Sequence, residues 1–573
     1  MPVAKMTVVF DSGWGYGIAW LVAYLALVSL GFSPYLTDEH GFRQTQTAMV
    51  ARYIGGWVDV FFNQLPVFGP PWELPFEFPL YQALAKLLST ASPLSLESSG
   101  RVISIAFFLL CLWRLHRILR KIGVANTSMA LAAVALAPLY VVWSRAFMIE
   151  TAALFFTLWY VDEYLRQAKN VNLSKPQATT LFVAGVAAAL VKITTFLPFI
   201  LISIIAQAAL VVRRLRAKSA VAGTVWLLAV QLGALGVGAV WVMHADAVRE
   251  KSPFGPLLTS KALQAWNWGT LGQRADPAVW QQLSERTIAI FFPLGGVGSA
   301  TRVWLLACFA TILFAYFLFQ CKTRRRLLVA SLLGLYCIPF LLFINLHYIH
   351  NYYQVANGFL LCTGVGLAAE GALSAAAHGA AKVRIHALFA AFLLLEILIG
   401  ARFMLAKASH PPPLLTISQM VRDASRDGSV VVIAGQDWSS VIPYQSQRRA
   451  LMLWGTPEIV RAALLDAKNA GVEISLYLSC GAKPEHDSIF RDVWHFDAHQ
   501  PLKQADGCLL FQLSFVLATK AAPNPSRPSN ARQAQVMSHA LAAGAMTVIF
   551  SSNKDLEKAI DNYKNDVPGL RGW

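Results

Sequence analysis

TLFVAGVAAALVKITTFLPFILISIIAQAALVV, residues 180–212, carries Lys192 as its only charge. A helix needs about 20 mostly apolar residues to cross a hydrocarbon core about 30 Å thick. The run reads as two spans, at about 180–195 and 197–212, with Lys192 interrupting the turn between them. Working outward, comparable segments recur at 16–33, 101–120, 128–143, 149–166, 222–243, 303–320, 327–344, 352–372 and 386–405. That makes about eleven transmembrane helices.

Composition agrees. The 573-residue chain is 56% hydrophobic and 14% charged, where a soluble chain carries about 25% charged residues. After Lys407 charges, Pro and Gly return, and no run reaches spanning length. The expected architecture is an α-helical polytopic membrane protein, residues 1–407, with a soluble α/β domain at 408–519. Residues 520–573 read as a linker, rich in Pro at Pro523, Pro525 and Pro528, and a short C-terminal helix. In the tail, the apolar run ending at Gly435, the segment from Val472 to Leu478 and the stretch from Cys508 to Phe515 read as strands. Pro457 to Ala470 has helical periodicity.

The net charge of +17 is dispersed in short clusters between spans: Arg117, Arg120 and Lys121; Arg213, Arg214, Arg216 and Lys218; Lys322, Arg324, Arg325 and Arg326; Lys382 and Arg384. This is the positive-inside pattern of residues that face anionic membrane lipids. No soluble basic domain is present to bind nucleic acid. With the clusters inside, the N-terminus is cytoplasmic and the tail extracytoplasmic. Cys480 and Cys508 both fall in the tail. They suit a disulfide in an oxidising compartment and suit two buried thiols equally.

Two outside loops are long. The first, 34–100, mixes Pro-rich turns with aromatic stretches and suits helices lying in the membrane interface. The second, 244–302, ends in the flexible run Leu294-Gly295-Gly296-Val297-Gly298.

The candidate chemistry lies on the outer side. Asp38-Glu39 follows the first span, and a carboxylate there can take a proton from an acceptor hydroxyl. Thr37 or Asp38 could instead cap the following helix. Arg43 suits a phosphate or a pair with Glu39. Glu150 has apolar flanks, with Arg145 as an obvious partner. Lys192 either snorkels to the surface or meets a lipid phosphate. His347, His350 and Tyr353 mark the turn before the 352–372 span. The two histidines, three apart, leave a divalent metal open as a cofactor, although no third ligand is evident and no metal ligands are assigned.

Taken in order and sidedness, these features resemble the GT-C glycosyltransferases, in particular the branch with aminoarabinose transferase and protein O-mannosyltransferases. The resemblance covers about residues 1–460. It rests on the acidic pair, the Phe76-Glu77-Phe78-Pro79-Leu80-Tyr81 segment, the Arg145 to Glu150 turn, the Leu190-Val191-Lys192 step and the turn ending at Gln354. It implies transfer of a sugar from a polyprenyl-phosphate donor to a hydroxyl on a glycan, lipid or protein acceptor, at the outer face of a bacterial inner membrane. Asp38 would be the base, helped by Glu39. Arg43, Glu77, Tyr81, Arg145, Glu150, Lys192, His347, His350 and Tyr353 would line the substrate site. One departure stands out: the aminoarabinose-type enzymes have a Lys where this chain has Phe78. The rival class is a lipid or glycan transporter, but no internal repeat is evident and the ionisable groups gather at one face.

Overall fold

The computed structural model describes residues 12–32, 35–168, 174–377, 379–408, 414–495 and 500–513, with side chains described from residue 17. The expected linker and C-terminal helix lie outside these residues. Helices α1 (Ser12–Ser29), α2 (Gly41–Tyr53), α3 (Leu80–Ala91), α4 (Leu96–Lys121), α5 (Ser128–Leu136), α6 (Pro138–Trp143), α7 (Glu150–Gln167), α8 (Lys175–Arg216) and α9 (Ala222–Arg249) form the first part. After several short helices come α10 (Leu294–Val297), α11 (Ala300–Gln320), α12 (Thr323–Leu342), α13 (Gly358–Ala375) and α14 (Gly379–Ala408). Among the described residues seven helices, α4, α8, α9 and α11 to α14, are long and apolar enough to cross a membrane. The chain is an integral membrane protein.

Two segments of the sequence reading take a different form, and a third keeps its bounds but carries buried charges. The 128–143 segment is two helices, because Pro138 has no N–H to donate and opens a new helix as its first residue. The 149–166 segment forms α7, which carries Glu150, Asp162, Glu163 and Arg166 and buries Glu150, Asp162 and Glu163 inside the bundle. The 180–212 run is helical on both sides of a break, where the backbone is extended at Lys192 (φ −164°, ψ 95°). Tyr160 shows that the two halves double back. Its hydroxyl shares a hydrogen bond with Ser203 at 2.6 Å, and its ring lies against Gly185. Those residues would be about 27 Å apart along straight helix.

Close backbone approach seals the bundle, as is usual where no hydrophobic difference between lipid and protein drives helices together. A Cβ on Gly366 of α13 would sit 2.4 Å from the Ala130 Cα of α5. One on Gly100 would sit 2.2 Å from the Phe147 ring. At the far end of the bundle, buried Asp162 accepts from Arg114 at 2.9 Å, from Arg117 at 2.9 Å and from Lys121.

The tail forms a five-stranded sheet of order β2-β1-β3-β5-β4. Its strands are β1 (Val430–Ala434), β2 (Arg449–Leu453), β3 (Ile474–Ser479), β4 (Lys503–Ala505) and β5 (Cys508–Gln512). β1 pairs in parallel with β2 and β3, and β4 with β5 antiparallel. Cys480 and Cys508 form a disulfide between the end of β3 and the start of β5. β2 has no sequence signal, since Arg449-Ala-Leu-Met-Leu lacks β-branched residues and is too short to show a period.

The first loop is built into the tail. Phe68 bridges Leu451, and the Ala450 and Met452 amides donate to the Pro66 and Val67 carbonyls at 2.9 Å. The loop thus adds an edge strand beside β2. Helix α2 does not lie in the membrane interface: its Gln44, Thr45, Gln46 and Thr47 are buried. The short helix Trp57–Phe62 leaves Trp57 85% exposed and Val58 69% exposed.

Gly366→Ala is expected to cost about 1–3 kcal/mol, because the new Cβ meets backbone that cannot yield cheaply. Gly364→Ala, whose Cβ finds Val329 at an ordinary 3.7 Å, should stay within about 0.5 kcal/mol of the parent. Thermal unfolding of the detergent-solubilised protein checks this, and equal shifts for the two variants would refute the close-approach account.

Candidate active site

The segment after α1 is held by one carboxylate. Asp38 Oδ1 accepts from Arg101 at 3.0 Å and from Gln44 at 3.0 Å; Oδ2 accepts from Arg101 at 3.0 Å and from Arg145 at 3.3 Å. A carboxylate has about four lone-pair directions, and all are taken. Each donor anchors a different element. Arg101 lies in α4 and also holds the Tyr35 carbonyl. Gln44 of α2 accepts the Phe147 amide at 2.9 Å. Arg145 donates to the Val28, Leu30 and Gly31 carbonyls and so satisfies the exposed end of α1. Burial pushes the Asp38 pKa up, but the two guanidiniums and the hydrogen bonds outweigh it and hold the carboxyl at about 2.

The capping alternative for Thr37 or Asp38 falls away. The residue before α2 is His40, in the left-handed region at φ 42°, and no side chain caps the helix. Three other pairings also differ from the local expectation. Arg43 meets Glu77, not Glu39, and donates to Gln46 at 2.7 Å. Glu39 meets Lys407 of α14 at 2.8 Å. Burial raises the Glu39 pKa more than Lys407 lowers it. Glu150 pairs with Lys192 at 2.5 Å rather than with Arg145. Sequence spacing favours i, i+4 partners, whereas the bundle brings in partners from helices far along the chain.

Lys192 does not snorkel. It is 4% exposed, and its ammonium sits 4.3 Å from the centre of the Tyr353 ring. Extended backbone at Lys192 aims it inward. Glu150 Oε2 is buried and has no hydrogen-bond partner among the described residues. It offers an acceptor to a bound hydroxyl.

Between these pairs lies an aromatic box. The His40 ring is 5.6 Å from Trp143, 5.3 Å from His350 and 5.1 Å from Tyr352; Tyr352 is 4.7 Å from Tyr353. His350 is buried. Burial first, then the charges of Arg286, Arg43 and Lys192 with His40 beside it, hold its pKa well below the ordinary value. Burial likewise leaves His40 at about 4 and His347 at about 3. All three imidazoles are neutral at pH 7, in a region where three cations converge.

Among the described residues no three His, Cys, Asp or Glu side chains gather as a metal site requires. His347 packs on Phe340 and His350 on His40. Tyr81 is also set apart: it is buried, bonded to the Gly100 carbonyl and Ser104 at 2.8 Å, and serves packing between α3 and α4.

Sequence reasoning missed Arg101, Arg286, His40, Trp143 and Tyr352. His40 stood next to the acidic pair. Arg101 looked like the edge of a span, and nothing local distinguished it. The tail contributes Trp438, whose ring lies 4.8 Å from Phe42 and 6.0 Å from Phe76, next to the Arg43–Glu77 pair.

No protein-family model and no curated protein sequence matches the chain. The crystal structure of ArnT from Cupriavidus metallidurans bound to undecaprenyl phosphate is similar over 90% of this chain and 100% of that one, at 12% identity and a TM-score of 0.54. AglB from Archaeoglobus fulgidus, in complex with an inhibitory peptide and a dolichol-phosphate, is similar over 82% of this chain and 69% of that one, at 13% identity, with a TM-score of only 0.43. The first likeness shows the fold alone: a helical bundle with an appended α/β domain, shared over 90% of this chain.

Arg101→Gln should destabilise the protein by about 3–5 kcal/mol, because it leaves a buried carboxylate short of its main partner. The folded Asp38 pKa lies below that of an unfolded carboxyl, so the stabilisation is complete above about pH 4 and fades only as pH falls toward 2. The loss should therefore appear in full in melting curves at pH 7, and an unchanged melting temperature there would refute it. Glu150→Gln and Lys192→Met should each destabilise by a similar amount, since each strands one buried charge. The double variant should recover part of the loss. Additive losses would show that the two charges do not depend on each other.

Proposed function

We propose that this chain is a membrane glycosyltransferase that moves a sugar from a polyprenyl-phosphate donor to a hydroxyl on a lipid, glycan or protein acceptor. The observation that carries this reading is a box of aromatic faces flanked by cations: the Lys192 ammonium lies 5.4 Å and 4.3 Å from the Tyr352 and Tyr353 rings, Arg286 donates to the Tyr348 and Ile349 carbonyls beside His350, and Arg43 and Lys192 pair with the carboxylates of Glu77 and Glu150. Cations suit a phosphate, aromatic faces suit the apolar side of a sugar ring, and carboxylates suit hydroxyls. A solved structure of the same fold carries undecaprenyl phosphate. The reading places the site on the extracytoplasmic side of a bacterial inner membrane, because the basic clusters belong to the opposite ends of the helices.

The chemistry needs little from the protein. The phosphate leaves with the electron pair of the anomeric C–O bond, and the cations stabilise its charge. Arg43 and Lys192 replace the lysine that related enzymes carry where this chain has Phe78. Both are balanced by carboxylates at rest, so no unpaired positive charge is left in the empty site, and they can be drawn to the phosphate as it passes from one negative charge in the donor to two on leaving. The acceptor oxygen bonds to the anomeric carbon from the opposite side, which inverts that centre, and its proton passes to a carboxylate.

Asp38 is the proposed recipient. Its contact to Arg145, at 3.3 Å, is the longest of its four, and Arg145 keeps three backbone carbonyls if that contact is released. A carboxylate held at about 2 is a weak base. It acts late, when the hydroxyl has already become acidic through bonding to the sugar. Glu39 sits next to it on Lys407, and Glu150 offers its free oxygen to a sugar hydroxyl.

Asp38→Asn should lose at least about 100-fold in transfer from a radiolabelled polyprenyl-phosphate sugar, read per unit of folded protein in the membrane because the change also takes the carboxylate from Arg101 and Arg145. Near-normal turnover would remove Asp38 from the mechanism. Label that crosses the bilayer without forming a new glycosidic bond, in the parent protein, would instead favour a transporter.

A further inference from the structure

The Leu294-Gly295-Gly296-Val297-Gly298 run reads as flexible from its sequence, but its glycines answer to packing. A Cβ on Gly295 would lie 3.0 Å from the Phe403 ring, one on Gly296 2.7 Å from Ile399, and one on Gly298 2.9 Å from the Arg402 guanidinium. Gly298 also adopts φ +95°, which other residues rarely reach. Helix α10 therefore lies directly on the last turns of α14. Beside this contact, between α11 and α14, is a groove of about 370 Å³, lined by Leu305, Leu306, Leu398 and Ile399, with Arg302 and Arg402.

The two arginines are out of character for these walls. Neither side chain has an ion pair or hydrogen bond among the described residues. Both arginines line one apolar groove, where two like charges repel. Separate snorkelling explains a lone arginine at a helix end, but two on one groove leave a charge deficit that a single anion would relieve. Arg302 lies in the first turn of α11, so the positive end of that helix adds to the same field.

We propose that this groove seats one anionic glycerophospholipid of the surrounding bilayer. Its phosphate lies between Arg302 and Arg402, and an acyl chain lies along Leu305, Leu306 and Leu398. Guanidiniums bind phosphate oxygens through paired N–H donors, which suits two of them closing on one headgroup. The groove shares no residue with the candidate active site. Arg302, Leu305, Leu398 and Arg402 are all exposed on the outside of the bundle, where bulk lipid is the abundant source of phosphate. The bound lipid would tie α11 to α14, whose Lys407 holds Glu39 next to Asp38. Nothing in this assignment depends on the transfer reaction.

The full-length protein, purified in detergent and stripped of lipid, is incubated with phosphatidylglycerol and examined by native mass spectrometry. The parent should retain one phosphatidylglycerol, and Arg302→Gln/Arg402→Gln should lower its occupancy at least tenfold at equal lipid concentration. The charge-preserving double lysine variant should keep part of the binding, and the lipid-free glutamine variant should melt as the parent does. Phosphatidylcholine and inorganic phosphate should bind weakly. Equal retention by the glutamine variant, equal retention of phosphatidylcholine, or retention of undecaprenyl phosphate in preference to phosphatidylglycerol would each overturn the proposal.

Discussion

Asp38 accepts hydrogen bonds from Arg101, Arg145 and Gln44, and through them joins the start of α4, the end of α1, the start of α2 and the turn before α7. Two buried guanidiniums in a membrane protein are costly unless a carboxylate and carbonyls satisfy them. Asp38 supplies the charge, and the end of α1 supplies the carbonyls. This knot sets where the chain leaves the first helix, and so where Glu39, His40 and Arg43 stand. Every proposed site residue on the first loop depends on that geometry.

The remaining charges around the box follow the same rule. Arg43 meets Glu77, Lys192 meets Glu150 and Lys407 meets Glu39. Each pair joins residues far apart in sequence, so the site is a product of helix packing and not of any local motif. Paired in this way, the cations remain stable in a poorly hydrated region and stay available to the proposed phosphate. The three neutral histidines fit that environment, since burial and the surrounding positive charge both oppose their protonation.

The tail is part of this arrangement. The first loop adds an edge strand to its sheet, Ser440 shares a hydrogen bond with Thr45 at 2.9 Å, and Arg52 donates to the Tyr444 carbonyl at 2.9 Å. Trp438 then packs among Phe42, Phe68 and Phe76. Because the tail completes the burial of α2, the polar face of that helix is directed into protein, and amphipathic patterning alone could not reveal it.

What the sequence determined by itself was the class of the protein. Apolar runs of spanning length, basic clusters between them and a change of composition after Lys407 leave few alternatives, because a bilayer admits only helices and closed barrels as spanning elements. The strands at Val430–Ala434 and Ile474–Ser479 were legible as apolar runs bounded by turns. The gathering of Asp38, Glu77, Glu150, Lys192 and His350 at one end followed from alternating spans. Partner choice was not legible. Arg101 for Asp38, Lys192 for Glu150 and Lys407 for Glu39 arise from contacts across the bundle, and sequence spacing carries no information about which distant helix a side chain will meet. The break at Lys192, the edge strand at 66–68 and the packing role of the Gly295–Gly298 run belong with them. Only the tertiary structure decided these, because the burial of a charge is stabilised by whatever opposite charge the packing brings within hydrogen-bond distance.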